Sequence, residues 1–314
     1  MPTSSSPGAS STRTRRRRTS GEPSLFSWDL LANALVAGLL IGGFYAAVSL
    51  GISLIFGLLD IANIAQPAFL ILGSYAAYVM NTSFGLDPIL AGVLFTPVFY
   101  GLGVVVYRVY YGSFERRGEE SLRGLVFFFG LLFIIEVSLS LKYGVDYRLV
   151  QAAYIGKSID LGGVGIAYRL LVPCLVGLAM TLALYLFLGR TFYGRAIMAV
   201  SQDAGALRLM GANPVQIKTI AFGVGIAAAS LAGALLITIA PVVPSSDRDY
   251  IGRMFAITVL GGMGSIGGTL VASIILGVVE SLMGTFFGPS WSLAVSFGLL
   301  LVALAVRPAG LFGR

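Results

Sequence analysis

Eight long apolar runs, separated by short polar stretches, dominate this chain. They lie at residues 30–58, 62–80, 88–107, 122–143, 168–189, 216–240, 255–283 and 290–306. A helix needs about 20 predominantly apolar residues to cross the hydrocarbon core of a bilayer, and most of these runs are that long. The pattern therefore predicts an all-α, polytopic membrane protein.

The longest polar interruption in the C-terminal half, residues 190–218, has a helical period of its own. Its apolar residues recur at three- and four-residue steps: Ile197, Val200, Ala204, Leu207 and Met210. Gly211 and the following Asn213-Pro214 are typical of a helix end. We predict one amphipathic helix over about residues 196–210, which either lies in the membrane interface or docks on a cytoplasmic partner.

The first 27 residues differ from the rest of the chain. Residues 1–24 are rich in Ser, Thr, Pro and Arg and have no apolar period, so they cannot bury enough surface to offset the entropy lost on ordering. The run from Leu30 is too long for a cleaved signal peptide. Arginines close to a first span favour the cytoplasm, so Arg15 to Arg18 predict a disordered, basic, cytoplasmic tail over residues 1–27.

A cytoplasmic N-terminus constrains the number of crossings. If each run crossed once, residues 190–218 would lie outside, although their basic flanks and the polar loop ERRGEESLR at 115–123 favour the cytoplasm. The conflict disappears if run 30–58 enters and returns to the same side. We therefore predict that this run and run 255–283 are glycine-broken or re-entrant, which allows up to ten crossings.

Glycines mark both predicted breaks. Run 30–58 contains five of them, and the second run has a dense cluster: Gly261, Gly262, Gly264, Gly267 and Gly268. Irregular backbone at membrane depth survives only where protein or a water-filled cavity satisfies its polar groups, and paired breaks in two halves of a transporter indicate a translocation path. Close packing of helices through small residues explains the same glycines equally well.

Composition narrows the class of protein independently. Of 314 residues, 57% are hydrophobic and 11% charged, and the mean hydropathy is +0.89. Soluble domains carry roughly 25% charged residues, so this composition excludes an ordinary soluble globular protein. The sequence has no histidine, one cysteine and no phosphate-binding G-x-x-x-x-G-K-[ST] loop, so we expect no enzyme activity, no cofactor and no metal site in this chain.

Two carboxylates interrupt apolar runs. Glu136 lies in FFFGLLFIIEVSLSL and Glu280 in ILGVVESLMG. A charge at membrane depth costs about 2.5–3.5 kcal/mol on insertion scales and usually faces a bundle interior or a transport path. An interhelical hydrogen bond is the alternative explanation, and a proton-coupled carrier would use the same groups as relays.

Two loops are expected on the external side. Residues 146–168 have alternating apolar positions and Gly162-Gly163, which predict a short hairpin. Residues 241–249 form the second loop. The first is a candidate contact surface for a soluble protein that delivers substrate.

Several ordered motifs resemble those of branched-chain amino acid ABC transporter permeases, the LivH/LivM type. The similarity covers about residue 28 to the end of the chain. Its motifs are Gly57-Leu-Leu-Asp-Ile-Ala-Asn63-Ile-Ala-Gln66, Arg190-Thr-Phe-Tyr-Gly-Arg195-Ala, Met210-Gly211-Ala-Asn213, Leu260-Gly-Gly-Met-Gly-Ser-Ile-Gly268 and Arg307-Pro-Ala-Gly-Leu-Phe-Gly313. The resemblance implies one permease domain over 28–314, with the arrangement of up to ten helices seen in type II-like permeases.

The resemblance also implies roles for particular residues. It assigns contact with ATPase subunits to Arg195, Asp203, Leu207, Met210 and Gly211. Together with the breaks and carboxylates, it places along the translocation path Asn63, Gln66, Gly261, Gly262, Gly264, Gly268, Glu136 and Glu280. The family commonly has Asn-Phe-Ala-His-Gly where this chain has Asn63-Ile-Ala-Gln66-Pro67, which leaves the substrate open.

The sequence therefore predicts the permease subunit of an ATP-driven importer for branched-chain or other aliphatic amino acids in a bacterial or archaeal cytoplasmic membrane. The expected partners are membrane lipid, a second homologous permease, two ATPases and a periplasmic or lipid-anchored binding protein; no nucleic acid is expected. A permease of the same family for urea or short amides, and an ATP-independent proton-coupled carrier, remain alternatives.

Overall fold

The computed structural model of the chain describes residues 28–117, 120–161, 164–307 and 309–313. The predicted tail at 1–27 lies outside the described residues. Within them the protein is almost entirely helical: α1 (Trp28–Leu59), α2 (Gln66–Phe84), α3 (Pro88–Ser113), α4 (Glu120–Tyr143), α5 (Tyr168–Arg190), α6 (Phe192–Gln202), α7 (Ala204–Leu209), α8 (Pro214–Ile239), α9 (Asp247–Gly261), α10 (Ile266–Phe286) and α11 (Trp291–Val306).

A small hairpin is the one sheet among the described residues. Its strands β1 (Ser158–Leu161) and β2 (Val164–Ala167) pair antiparallel, with Ser158 opposite Ala167 and Leu161 opposite Val164. Residues 162 and 163, which separate the strands in the sequence, lie outside the described residues. The hairpin predicted within 146–168 is confirmed.

Helices α1, α3, α4, α5, α8 and α10 are long and apolar enough to cross a membrane. In α1 and α8, 78% of the most apolar window is buried, against 28–33% in α3, α4 and α5. Because lipid tails are as apolar as leucine, the exposed apolar surface of α3 to α5 is the expected lipid-facing surface. The fold is an all-α polytopic membrane protein with α1 and α8 at its centre.

Contacts between loops define two ends of the bundle. At the first, which we call the hairpin end, the β2 amide of Gly165 donates to Oδ1 of Asn33 in α1, over 3.0 Å. The backbones of Arg148 and Val242 pair there as an antiparallel bridge. At the second, the α6–α7 end, the ammonium of Lys218 lies 2.6 Å from the Glu115 carboxylate. Helices α1 to α5 and α8 to α11 run between these ends.

The predicted break in run 30–58 is wrong, because α1 is one continuous helix of 32 residues. Its glycines admit neighbouring helices instead of bending the chain. A Cβ placed on Gly38 would lie 2.6 Å from the Cα of Val278, and one on Gly42 would lie 2.7 Å from the Cα of Ile274, both in α10. A continuous helix also satisfies its own backbone hydrogen bonds, which lipid cannot do.

An unbroken α1 changes the topology that the sequence suggested. Since Asn33 lies beside the hairpin, the start of α1 is at the hairpin end, opposite α6 and α7. The expectation that the N-terminal end of this helix shares a side with residues 196–210 is therefore wrong. The break predicted in run 255–283 is confirmed: α9 ends at Gly261, and α10 begins at Ile266.

Candidate functional site

The break between α9 and α10 is built from backbone in direct contact with backbone. Gly262 and Gly264 have φ of +93° and +80°, conformations that favour glycine. A Cβ on Gly57 of α1 would lie 2.2 Å from the Gly264 nitrogen, and one on Gly268 would lie 2.0 Å from the Gly261 oxygen. The four predicted glycines are thus brought together with the end of α1.

The C-terminal segment closes over the same break. The amide of Leu311 donates to the Leu260 carbonyl over 2.8 Å, and that of Phe312 donates to the Gly261 carbonyl over 3.3 Å. These bonds satisfy carbonyls at the end of α9 that have no partner within the helix. The sequence motif around Arg307 to Gly313 was noted for its resemblance, but its pattern gave no signal that it contacts Gly261.

The side chains of Asn63 and Gln66 form hydrogen bonds that hold the connection between α1 and α2 in place. Both side chains are buried, and the Asn63 amide donates to Oε1 of Gln66 over 3.2 Å. The Gln66 amide donates to the carbonyl of Gly225 in α8 over 3.0 Å. Since these polar atoms have hydrogen-bond partners within the chain, the role of Gln66 here is to link α2 to α8.

Glu136 and Glu280 each pair with an arginine of α9. Oε1 of Glu136 lies 2.7 Å from the guanidinium of Arg248, and Oε1 of Glu280 lies 2.6 Å from that of Arg253. Both carboxylates sit about two turns from the hairpin end of their helices. Sequence reasoning singled out the acids but missed the arginines: Arg248 lies in the loop at 241–249, and Arg253 lies just after it.

Glu280 and Arg253 line a cavity of about 630 Å³ at the hairpin end, which we call the Arg253 cavity. It lies between α1, α9, α10 and α11, and its other lining residues include Tyr45, Asp249, Ser292 and Leu293. The guanidinium of Arg253 also lies over the rings of Tyr45 and Tyr250, at 5.9 and 5.3 Å. Glu136 does not line this cavity.

The segment predicted as one helix over 196–210 forms two. Asp203 has extended backbone (φ −156°, ψ 104°), and its carboxylate accepts from the amides of Gly205 and Ala206 over 2.7 and 3.0 Å. It caps α7 and interrupts the path from α6. Gly211 then ends the segment with φ of +81°, as the sequence predicted, and the structure adds that Asn213 caps α8 by accepting from the Val215 amide.

Exposure separates the apolar residues of this segment into two groups. Leu207 is 7% exposed and belongs to the core of the protein, together with Ile197 and Val200. Leu209 and Met210 are 92% and 83% exposed. Arg195, Asp203 and Gly211 are exposed as well. In α7 and at its C-cap the exposed large apolar side chains are therefore Leu209 and Met210, whereas Leu207 is buried; in α6, Met198 is 36% exposed.

A buried ion pair fixes the base of this segment. Glu115, in the turn after α3, accepts from Lys218 at the start of α8 and from the Tyr107 hydroxyl, over 2.6 and 2.8 Å. Only 10% of the Glu115 side chain and 20% of the Lys218 side chain are exposed. The loop between α3 and α4 and the α6–α7 segment are thereby held together at one end of the bundle.

Comparison with known proteins agrees with this architecture. The family model for the permease component of the branched-chain amino acid transport system matches residues 34–304. The chain belongs to this family, and it is a multi-pass membrane protein.

Three relatives span nearly the whole chain. The permease protein BraD of the high-affinity branched-chain amino acid transport system of Pseudomonas aeruginosa is 28% identical, over 89% of this chain and 95% of its own. Escherichia coli LivH, a permease protein of a system of the same description, is 28% identical over 88% and 94%. Its LivM, also described as a permease protein, is 27% identical over 85% of this chain and 67% of its own.

Proposed function

We propose that this protein is the permease subunit of an ATP-driven importer that translocates branched-chain amino acids. The observation that carries the proposal is the family match over residues 34–304, which spans the bundle from α1 to α11. The described structure supplies surfaces that such a subunit needs: an exposed apolar pair at the α6–α7 end and a polar cavity at the hairpin end.

The α6–α7 end is the cytoplasmic end in this proposal. Arginine and lysine are retained on the cytoplasmic side of spans, and this segment carries Arg190, Arg195, Arg208 and Lys218. The start of α1 is then extracytoplasmic, opposite to the expectation from the arginines of the tail.

The proposed surface for coupling to an ATPase consists of Leu209 and Met210, and neighbouring residues of the segment fix its position. Helix-in-groove recognition depends on a few exposed apolar anchors, and these two meet that requirement. Asp203 and Gly211 fix the two bends of the segment, and Arg195 adds an exposed charge. An ATPase subunit is the proposed partner here, since this chain has no phosphate-binding loop of its own.

A second permease subunit and a binding protein complete the proposed assembly. The chain is similar to both LivH and LivM of one organism, which supports pairing between homologous permeases. The hairpin and residues 240–246 share the opposite end and are the proposed contact surface for the binding protein.

The ion pairs of Glu136 and Glu280 argue against the proton-coupled alternative. An arginine lies 2.6–2.7 Å from each carboxylate, so both acids have a structural partner within the chain that accounts for them without a relay role. The departure of Gln66 from the family pattern does not favour urea or amides, because its amide is buried and bonded to Gly225.

Uptake into proteoliposomes tests the proposal. The permease pair, co-expressed with its ATPases, should accumulate radiolabelled leucine only with enclosed ATP and added binding protein. Uptake of urea but not leucine would favour the amide alternative. Leucine uptake that needs no ATP and is abolished by a protonophore would favour the carrier.

A further inference from the structure

The Arg253 cavity holds a carboxylate that is only half satisfied. Oε1 of Glu280 accepts from Arg253 and from the Ser292 hydroxyl, whereas Oε2 is buried without a hydrogen-bond partner. The Glu280 residue is 6% exposed. A buried, unpaired carboxylate oxygen is costly unless a ligand supplies a donor.

The charge balance of the cavity favours a cation. It contains two carboxylates, Glu280 and Asp249, but a single guanidinium, that of Arg253. Four hydrogen bonds, to Glu280, Ser292 and the Asp249 carbonyl, occupy most of the five N–H groups of this arginine. The cavity lining therefore carries one more negative side chain than positive ones, which favours a ligand with a positive group.

The remaining walls suit an aliphatic ligand with a polar end. Ile41 and Leu293 supply apolar surface, and Thr285 and Ser290 supply hydroxyls. A volume of about 630 Å³ falls within the about 300–1,000 Å³ typical of small-molecule sites. The cavity lies at the hairpin end, where the proposed function has substrate delivered.

We propose that the Arg253 cavity is an entry site for an α-amino acid, whose ammonium group is received by Glu280 and Asp249. This inference rests on the proposed function. The ammonium lies between the Glu280 and Asp249 carboxylates that line the cavity, and the aliphatic side chain lies against Ile41 and Leu293. The carboxylate end faces the cavity hydroxyls. Recognition depends mainly on the ammonium, because Arg253 is already engaged.

Direct binding to the purified permease–ATPase complex, without binding protein, tests the site. Tritiated leucine should bind saturably. The competitor 3-methylbutylamine, which lacks the carboxylate, should displace it, and 4-methylpentanoate, which lacks the ammonium, should not. Leucine uptake by the same preparation with ATP and binding protein is measured in parallel, so that failure of the proposed function is seen separately.

Matched variants separate binding from folding. Asp249→Asn should weaken leucine binding about tenfold, the effect of losing a charge-assisted hydrogen bond. Asp146→Asn, an exposed carboxylate at the same end but outside the cavity, should not. Glu280→Gln should abolish binding, whereas Glu136→Gln, which breaks a comparable ion pair outside the cavity, should retain it.

Three results would overturn the inference. The first is a wild-type complex that transports leucine but shows no saturable binding without the binding protein. The second is displacement by 4-methylpentanoate in preference to the amine. The third is equal binding by Asp249→Asn and Asp146→Asn. Since Asp249 is exposed, its variant remains informative even if Glu280→Gln does not fold.

Discussion

Glycine residues have two different uses in this molecule. In α1, Gly38 and Gly42 keep helical backbone, and the space of their missing side chains is filled by the backbone of α10. In the break after α9, Gly262 and Gly264 instead adopt positive φ. The first use depends on small size alone, and the second depends on backbone conformation as well.

Gly264→Ala should lower the free energy of unfolding of the permease by at least about 1–2 kcal/mol. This is the cost of a left-handed backbone conformation for a residue that has a Cβ. The new Cβ would also lie 2.8 Å from the Gly57 carbonyl oxygen. Thermal unfolding in detergent, followed by size-exclusion recovery, measures the loss. Gly130→Ala in α4 is the control, because nothing lies within 4 Å of its Cβ position. Equal melting temperatures for the two variants would contradict the role given to the break.

The sequence allowed one glycine cluster to be interpreted correctly and one wrongly. Residues 261–268 contain so many glycines that they do not favour a helix, and the sequence therefore predicted the break between α9 and α10. In run 30–58 the glycines are spread out, and Gly38 and Gly42 lie four residues apart, on one helix face. That spacing indicates close packing, which depends on a partner helix far along the chain that no local pattern can reveal.

At the scale of elements, the α6–α7 segment shows what a short polar residue does inside an apolar period. The steps from Ile197 to Met210 continue across Asp203, and so they predicted one helix. The Asp203 carboxylate binds the amides of Gly205 and Ala206, which favours a new helix start over continuation. The bend turns Leu207 into the core and leaves Leu209 and Met210 outside. The sequence thus predicted a helical segment here, but it did not reveal which of the apolar side chains face outward.

Leu209→Asp should release the ATPase subunits and leave the permease folded, because Leu209 is 92% exposed and contacts little of its own chain. Leu207→Asp should instead destabilise the permease itself, since replacing a buried leucine costs about 2–5 kcal/mol before the charge is counted. Co-purification of the ATPases with each variant, together with its size-exclusion profile, separates the two outcomes.

Arg208→Ala is the control for this pair, as an exposed residue between them. It should reduce ATPase recovery less than Leu209→Asp does. Normal ATPase recovery and normal ATP hydrolysis in Leu209→Asp would leave the segment as an interfacial helix pair with no docking role.

At the scale of the whole molecule, hydrogen bonds and an ion pair between loops determine which loops lie together at each end of the bundle. Arg148 pairs with Val242, and Asn33 with Gly165, at the hairpin end. At the α6–α7 end, Glu115 forms an ion pair with Lys218, and the Leu311 amide donates to the Leu260 carbonyl. Counting apolar runs could not reveal this arrangement, because the crossing count depended on whether runs 30–58 and 255–283 were broken, and only the second one is.

Cysteine accessibility tests the resulting topology. The only cysteine, Cys174, is buried in α5, so a Cys174→Ala background allows single cysteines to be introduced elsewhere. With the α6–α7 end in the cytoplasm, Lys157→Cys and Trp28→Cys should react with a membrane-impermeant maleimide in intact cells, and Gln202→Cys only after permeabilisation. The decisive position is Trp28, which is 85% exposed and begins α1. If Trp28→Cys were protected together with Gln202→Cys while Lys157→Cys reacted, the start of α1 would lie in the cytoplasm. The continuous path of α1 to the hairpin end would then be wrong.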